Sequence, residues 1–484
     1  MAGRGHNLAI DRRPSHARHL DAALRPAAEP RLVLRAVRAV RRHPLGRVSD
    51  RDRRHTAVNL RDPALIRGVI LFLPLALAVG LWRWRQPDRR LGAGAFLASA
   101  WMLSAGLAIH LVAVRAGFWH YDARGAVWLG LPVDVYLGWA VFWGAVPVLA
   151  FRRTNVALVV AAMAIADLVL MPAAYPVVRL GPNWLAGEAI ALVIGALPAY
   201  LLGRWTAEGV HLAWRTILQS VAFSGLALGV LPAVIVTRTG GSLPTVDNKS
   251  SGYLAVGLQV VALIAIVGLS AVQEFVQRGS GTPFPWDPPQ RIVTTGPYAY
   301  LANPMQASMT LLMLAVGAIA HSWWVAAAAI VSAVFSSGLA AWHEEGELTR
   351  RFRPAWDRYR AEVRPWLPRW RPAVASEKTA RLYFAESCTA CSGLARWLRT
   401  LEPLGLDLLP AEGLEPQPRR LTYVGTDGAV DRGVRALGRA LEHVNLALAF
   451  IGWTIRLPVV GEFVQLLTDA VGGGPRELPQ PVSA

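Results

Sequence analysis

Polar and apolar positions alternate in long blocks along this chain. Apolar stretches lie at about 65–82, 92–114, 129–150, 155–175, 185–202, 216–237, 253–276, 305–320 and 323–342. Each is near the roughly 20 residues that cross a bilayer as a helix. Short arginine-bearing loops separate several of them (Arg83 to Arg90, Arg152-Arg153, Arg204 to Arg215). The pattern predicts a mainly α, polytopic membrane protein of about nine spans. Residues 305–342 carry no charged side chain, too many for one span and about right for two, with His321-Ser322 at the bend. A helical hairpin there returns the chain to the face it left, so Asn303 meets the Glu344-Glu345 pair at one surface. Carboxylates at a membrane edge are normally avoided or functional.

After Pro372 the period changes. Arg381 to Ser387 reads as a strand, SGLARWLRTLEPLG as a helix with one apolar face, and Leu421 to Gly425 as a second strand turning at Thr426-Asp427-Gly428. A helix follows from about Gly433 to Val444, then two short apolar helices. Five segments result: a basic arm over 1–60, expected to be disordered; a helical membrane domain of unassigned role over 61–252; a second membrane module over 253–372; a small α/β domain over 378–474; and a disordered tail over 475–484. Within the arm, Arg31 to Arg42 has the spacing of a short basic amphipathic helix for anionic lipid. The first apolar run begins only near Leu65, so no secretory signal is expected.

Composition agrees with a membrane protein. The chain is 54% hydrophobic and 17% charged, with 19 tryptophans for interfacial belts. Its formal charge of +18 is almost all arginine, lysine occurring only at Lys249 and Lys378. Such a charge invites a nucleic-acid reading, yet no base-stacking or groove-reading motif accompanies it. Membrane electrostatics accounts for it better. The arginine loops fall on alternate sides consistently with cytoplasmic Glu344 in an inner (plasma) membrane. The same assignment puts the arginine-rich arm outside, against that tendency. Asp134 and Asp167 stand at or within apolar segments, where acids are functional candidates. The plainer reading is an interfacial Asp134 and a packing Asp167 bonded to a neighbour.

The two cysteines of the chain, Cys388 and Cys391, follow the first C-terminal strand and open a helix. A four-thiolate zinc site is thereby excluded within one chain. His443 is the only histidine downstream of His343, and a disulfide across two residues closes too short a loop to stabilise much. CxxC between strand and helix favours redox chemistry over metal, because the helix N-terminus stabilises the first thiolate.

GPYAYLANPM (296–305), the hairpin, then EEGEL and the tail RRFRPAWDRYRAEVRPWLPR, preceded by GTPFPWDPPQRIVTT (281–295), resemble the isoprenylcysteine carboxyl methyltransferase and phospholipid methyltransferase group of membrane enzymes. The resemblance spans about 274–371 and implies S-adenosylmethionine (SAM) as cofactor. Carried over by position, it implies Tyr300, Asn303, Pro304, Glu344 and Glu345 as cofactor contacts. An arginine such as Arg350, Arg351 or Arg353, with Arg351 foremost, would hold the ligand carboxylate. Where that family commonly has arginine and tyrosine, this chain has Ala302 and Gln306. Residues 380–473 resemble the small DCC-type thiol-disulfide oxidoreductases, which are thioredoxin-like, with Ala385 where those usually have aspartate. By that resemblance Cys388 attacks, Cys391 resolves, and the partner is a thiol or disulfide. The expected function is methyl transfer to a lipophilic or lipidated acceptor (carboxylate, amine or thiol) among membrane lipids. The alternative is a tethered oxidoreductase whose methyltransferase-like part is an anchor.

Overall fold

The computed structural model describes residues 61–241, 251–284, 286–374, 378–412, 414–475 and 477; of 251, 339–345 and 347 it describes the backbone only. The expected arm and its Arg31 to Arg42 helix, nearly all of the tail, and the side chains of Glu344 and Glu345 lie outside the described residues.

Among the described residues, seven helices are long and apolar enough to cross a membrane: α1 (Pro63–Arg85), α2 (Arg89–Ala116), α3 (Val133–Ala150), α4 (Val156–Ala173), α5 (Trp184–Glu208), α6 (Leu212–Arg238) and α7 (Gly252–Gly279). The expected last two spans are helices as well, but short ones. The first, α8 (Pro304–Ile319), is 16 residues long, and its partner α9 (Trp323–Phe335) leads through a wide turn into α10 (Ala341–Phe352). Among the described residues the count of about nine is therefore corrected to seven full-length helices plus a shorter apolar hairpin, or eight if the bent pair Leu446–Arg456 and Val460–Gly473 is one span. Pro304 fixes where α8 starts, and left-handed His321 breaks the hairpin after Ala320.

Local sequence explains much of the helix geometry. Asp62, Asp88 and Asn155 cap α1, α2 and α4 by accepting a main-chain N–H of the first turn. A π-helical turn stands just before Pro147 in α3, Pro198 in α5 and Pro232 in α6. Proline has no N–H for the preceding turn and clashes with it, so a locally widened helix keeps the span continuous. Helices α2 and α5 touch backbone to backbone: a Cβ on Gly94 would sit 2.3 Å from the Gly203 carbonyl oxygen. Small residues set such close crossings where lipid removes the hydrophobic drive between helices. Short antiparallel pairs, β1 (Trp119–Tyr121) with β4 (Val178–Leu180) and β2 (Val127–Trp128) with β3 (Leu131–Pro132), join the loops of this bundle.

The hairpin is fastened to α7. Ser308 donates to the Ile264 carbonyl at 2.9 Å, and Tyr253 donates to Ala318 at 2.6 Å while stacking on His321. The C-terminal region is a four-stranded sheet in the order β6-β5-β7-β8, with β5 (Ala380–Phe384) parallel to β6 (Leu406–Pro410) and antiparallel to β7 (Thr422–Val424), which pairs antiparallel with β8 (Val430–Arg432). Around it stand α12 (Thr389–Thr400), α13 (Val434–Leu441), α14 (Leu446–Arg456) and α15 (Val460–Thr468). The apolar run LYF buries Leu382, Tyr383 and Phe384 in this sheet. Helix α14 packs on the Ala299-Tyr300 turn through Ala449 and Trp453, so the C-terminal region is seated on the methyltransferase-like segment.

Candidate functional site

Three stretches between Phe275 and Trp366 build one cavity. The chain leaves α7 through a π turn (Phe275–Gly279), runs along 281–295, and enters a single 3-10 turn, Gly296–Ala299. Gly296 has φ +62°, and a Cβ there would stand 3.1 Å from Glu274 Cγ, so only glycine lets the turn lie against α7. Helix α11 (Ala355–Glu362) follows α10, and the strap after it returns to the turn. Along that strap the N–H groups of Ala302 and Asn303 donate to the carbonyls of Arg364 and Pro365, and those of Arg369 and Ala373 to Tyr300 and Ala299. The Tyr359 hydroxyl donates to the Tyr298 carbonyl at 2.9 Å, and burial pushes its titration upward, keeping it a donor.

Between these pieces lies a cavity of about 220 Å³, far above the roughly 10–15 Å³ that one water needs. Its walls include Phe275, Tyr298, Trp356, Tyr359 and Trp366, and its polar groups include Asn303, Ser337 and Arg360. Aromatic faces beside one cation and one amide suit a ligand with a planar ring, a positive centre and a carboxylate. The Arg360 guanidinium lies 5.8 Å over the Trp356 ring and donates to the Val363 carbonyl. Several of its N–H groups remain to meet an anion.

The residues expected from sequence are distributed unequally around this cavity. Asn303 lines it. Pro304, buried, is the first residue of α8 and sets the hairpin foot without forming the wall. Tyr300 turns away: it is fully buried, donates to the Glu442 carbonyl at 2.8 Å and meets Trp453 edge-on. Arg351 is exposed on α10, its guanidinium over Phe352. The residues Ser337 and Leu348, which bracket Glu344-Glu345 in the chain, both line the cavity. Sequence reasoning missed Arg360, Trp356 and Trp366. They sit inside the quoted tail, and only the fold tells which of its arginines faces inward.

The cysteines occupy the expected place. Cys388, buried, is the N-cap of α12, and its Sγ accepts the Cys391 N–H at 3.4 Å; Cys391 is half-buried. Glu412 braces this loop, its Oε1 accepting from the Ser387 N–H and hydroxyl at 3.1 and 3.0 Å.

A buried charge network ties the two regions together. Glu274, fully buried at the end of α7, accepts from Arg439 of α13 at 2.8 Å, from Arg456 of α14 at 3.0 Å and from the Thr295 hydroxyl. Both arginines also bond Glu442, and Arg439 reaches Asp431 at 3.1 Å. At the other side of the module, buried Arg215 of α6 pairs with Asp287.

Residues 252–355 match the family model for phospholipid methyltransferases. No curated protein and no solved structure matches the chain. The family match thus marks a methyltransferase-like region within a multi-pass helical architecture.

Proposed function

We propose that this protein is an integral-membrane methyltransferase that uses SAM to methylate a lipophilic acceptor carrying a carboxylate, amine or thiol. The cavity at the hairpin foot carries the reading, because its walls come from the segment matched to phospholipid methyltransferases and from α11 and the strap that follow it. Bound there, SAM supplies an activated methyl group. Arg360 would hold the carboxylate, the aromatic faces would take the ring and the positive centre, and Asn303 would hydrogen-bond the polar edge. Glu344 and Glu345 are proposed partners for the ammonium and ribose hydroxyls. Displacement at a methyl group is in line, so the protein's main task is alignment. The exposed apolar face of α9, with Ile330, Val331, Val334 and Phe335, leads to Ser337 at the cavity and favours an acceptor arriving from the bilayer. The site and the C-terminal region are assigned to the cytoplasmic side of the inner membrane.

Titration calorimetry of the full chain in nanodiscs tests this. Wild type should bind SAM saturably, and Arg360→Ala and Asn303→Ala should each weaken binding. The arginine change should do so by about 10- to 100-fold, the loss of a charge-assisted bond. Affinity unchanged in both variants would remove the site.

A second reading is supported by Cys388 at the N-terminus of α12 and by the strand order β6-β5-β7-β8, which together favour a thioredoxin-like thiol-disulfide oxidoreductase region. In that reaction the Cys388 thiolate attacks a partner disulfide and releases one partner thiolate. Cys391 then attacks the mixed disulfide, leaving the partner reduced and this pair oxidised. Cys391→Ser should accumulate the mixed disulfide and Cys388→Ser should not. A chain that traps partners yet binds no SAM would favour the tethered oxidoreductase alone.

A further inference from the structure

The six-helix bundle before Gly252 has a chamber of its own, separate from the hairpin-foot cavity. It measures about 70 Å³ and lies between α2, α3, α4 and α5, with β1 and β3 also lining it. That volume is room for several waters or one small polar head group. Its carboxyls, Asp167 of α4 and Glu188 of α5, are each about 95% buried, at 6% and 5% exposure, and interact side chain to side chain. Two carboxyls can bond each other only through a shared proton, and no other donor reaches Asp167 Oδ2 or Glu188 Oε1. His110, 2% exposed, has its Nε2 at 2.9 Å from the Leu129 carbonyl, which can only accept. Its Nδ1 is then a lone pair in the neutral ring, and it too is unpartnered. The packing reading of Asp167, bonded to a neighbour, holds as far as Glu188, yet the bundle supplies no outside donor to this pair or to His110 Nδ1 around one space.

The remaining wall is aromatic. Tyr121 lies 5.6 Å from His110 and 6.0 Å from Trp139, ring to ring, and Trp119, Tyr136 and Trp143 extend the surface. No lysine or arginine lines the chamber among the described residues. Two walls are the π turns of α3 and α5, so the helices are widest where the chamber lies. Buried unpaired acceptors each cost a desolvation penalty until a donor reaches them. Three acceptors, no cation and a ring of π faces together select a ligand that is donor-rich and positive.

We propose that this chamber binds the protonated head of a primary alkylamine, with Asp167, Glu188 and His110 accepting its N–H bonds and the aromatic wall covering its charge and first carbons. The proposal does not depend on methyl transfer, and the site shares no residue with the hairpin-foot cavity.

Binding of tritiated hexylammonium to the full-length protein in nanodiscs tests it, with empty nanodiscs as reference and 1-hexanol as the uncharged analogue. Wild type should bind hexylammonium saturably and at least tenfold more tightly than hexanol. Asp167→Asn combined with Glu188→Gln should lose at least tenfold of that affinity while SAM affinity stays put. Methylammonium separates the sources: matching affinity assigns a small free amine, and much weaker affinity assigns a lipophilic one. Equal binding of hexanol and hexylammonium by wild type, or no saturable binding, overturns the proposal without recourse to any variant.

Discussion

At Tyr300 and Arg360 the fold reassigns two side chains that look alike in sequence to their neighbours. Tyr300 belongs to the seat of the C-terminal region, so Tyr300→Phe should leave SAM affinity unchanged. It should lower the thermal midpoint by the worth of one hydrogen bond, about 1 kcal/mol, read by differential scanning calorimetry. His443 offers a pH test. Its Nδ1–H donates to the Leu404 carbonyl at 2.7 Å and its Nε2 accepts the Tyr423 hydroxyl at 2.9 Å. Burial pushes its titration down to about 4 from 6.5. The unfolded chain therefore binds the proton first. Stability of the C-terminal sheet should be complete above about pH 6.5 and fall toward pH 4, by up to roughly 3 kcal/mol. Hydrogen exchange of β7 against pH should show that slope in wild type and lose it in His443→Gln. Sequence made Asn303 and the cysteines legible because a motif fixed their positions. It put Arg351 ahead of Arg350 and Arg353 and passed over Arg360, because inwardness depends on how α10 and α11 turn.

Among elements, the spans were legible because lipid permits few backbones other than helices, and composition alone marks them. The hairpin was legible too: the expected 305–320 and 323–342 stand as Pro304–Ile319 and Trp323–Gly338, with Pro304 at the start and left-handed His321 at the bend. Strands β6 and β8 were missed, the first because LDLLP carries little alternation and the second because VDR is only three residues long. The crossing of α2 on α5 was also hidden, since nothing in sequence distinguishes a packing glycine from a loop glycine. Gly203→Leu should wedge those helices apart; overpacking of this kind costs about 1–3 kcal/mol. Its signature would be a lower thermal midpoint with SAM binding retained in the surviving fraction, measured on the same nanodisc preparation. Equal midpoints would mean that the helices do not approach so closely.

For the whole molecule, the telling feature is that α7 ends in an acid fully buried among side chains from residues more than 150 positions later. Removing one partner from a buried ion pair costs roughly 3–5 kcal/mol, since the other charge is left uncompensated. Glu274→Gln should therefore open the contact between α14 and the Ala299-Tyr300 turn, seen as faster hydrogen exchange of α14 with unchanged exchange in α2. A joint replacement of Glu274, Glu442, Arg439 and Arg456 by apolar residues should restore protection, which separates charge compensation from mere packing. No sequence pattern foretold this network, because its members lie at wide and irregular separations. A practical corollary concerns anyone cutting the gene at the Pro372 boundary. The upstream fragment would carry Glu274 without Arg439 and Arg456, and the downstream fragment would keep those arginines with Glu442 and Asp431 but without Glu274, so the upstream piece should behave worse by itself. Supplied together on two plasmids, they should reassemble.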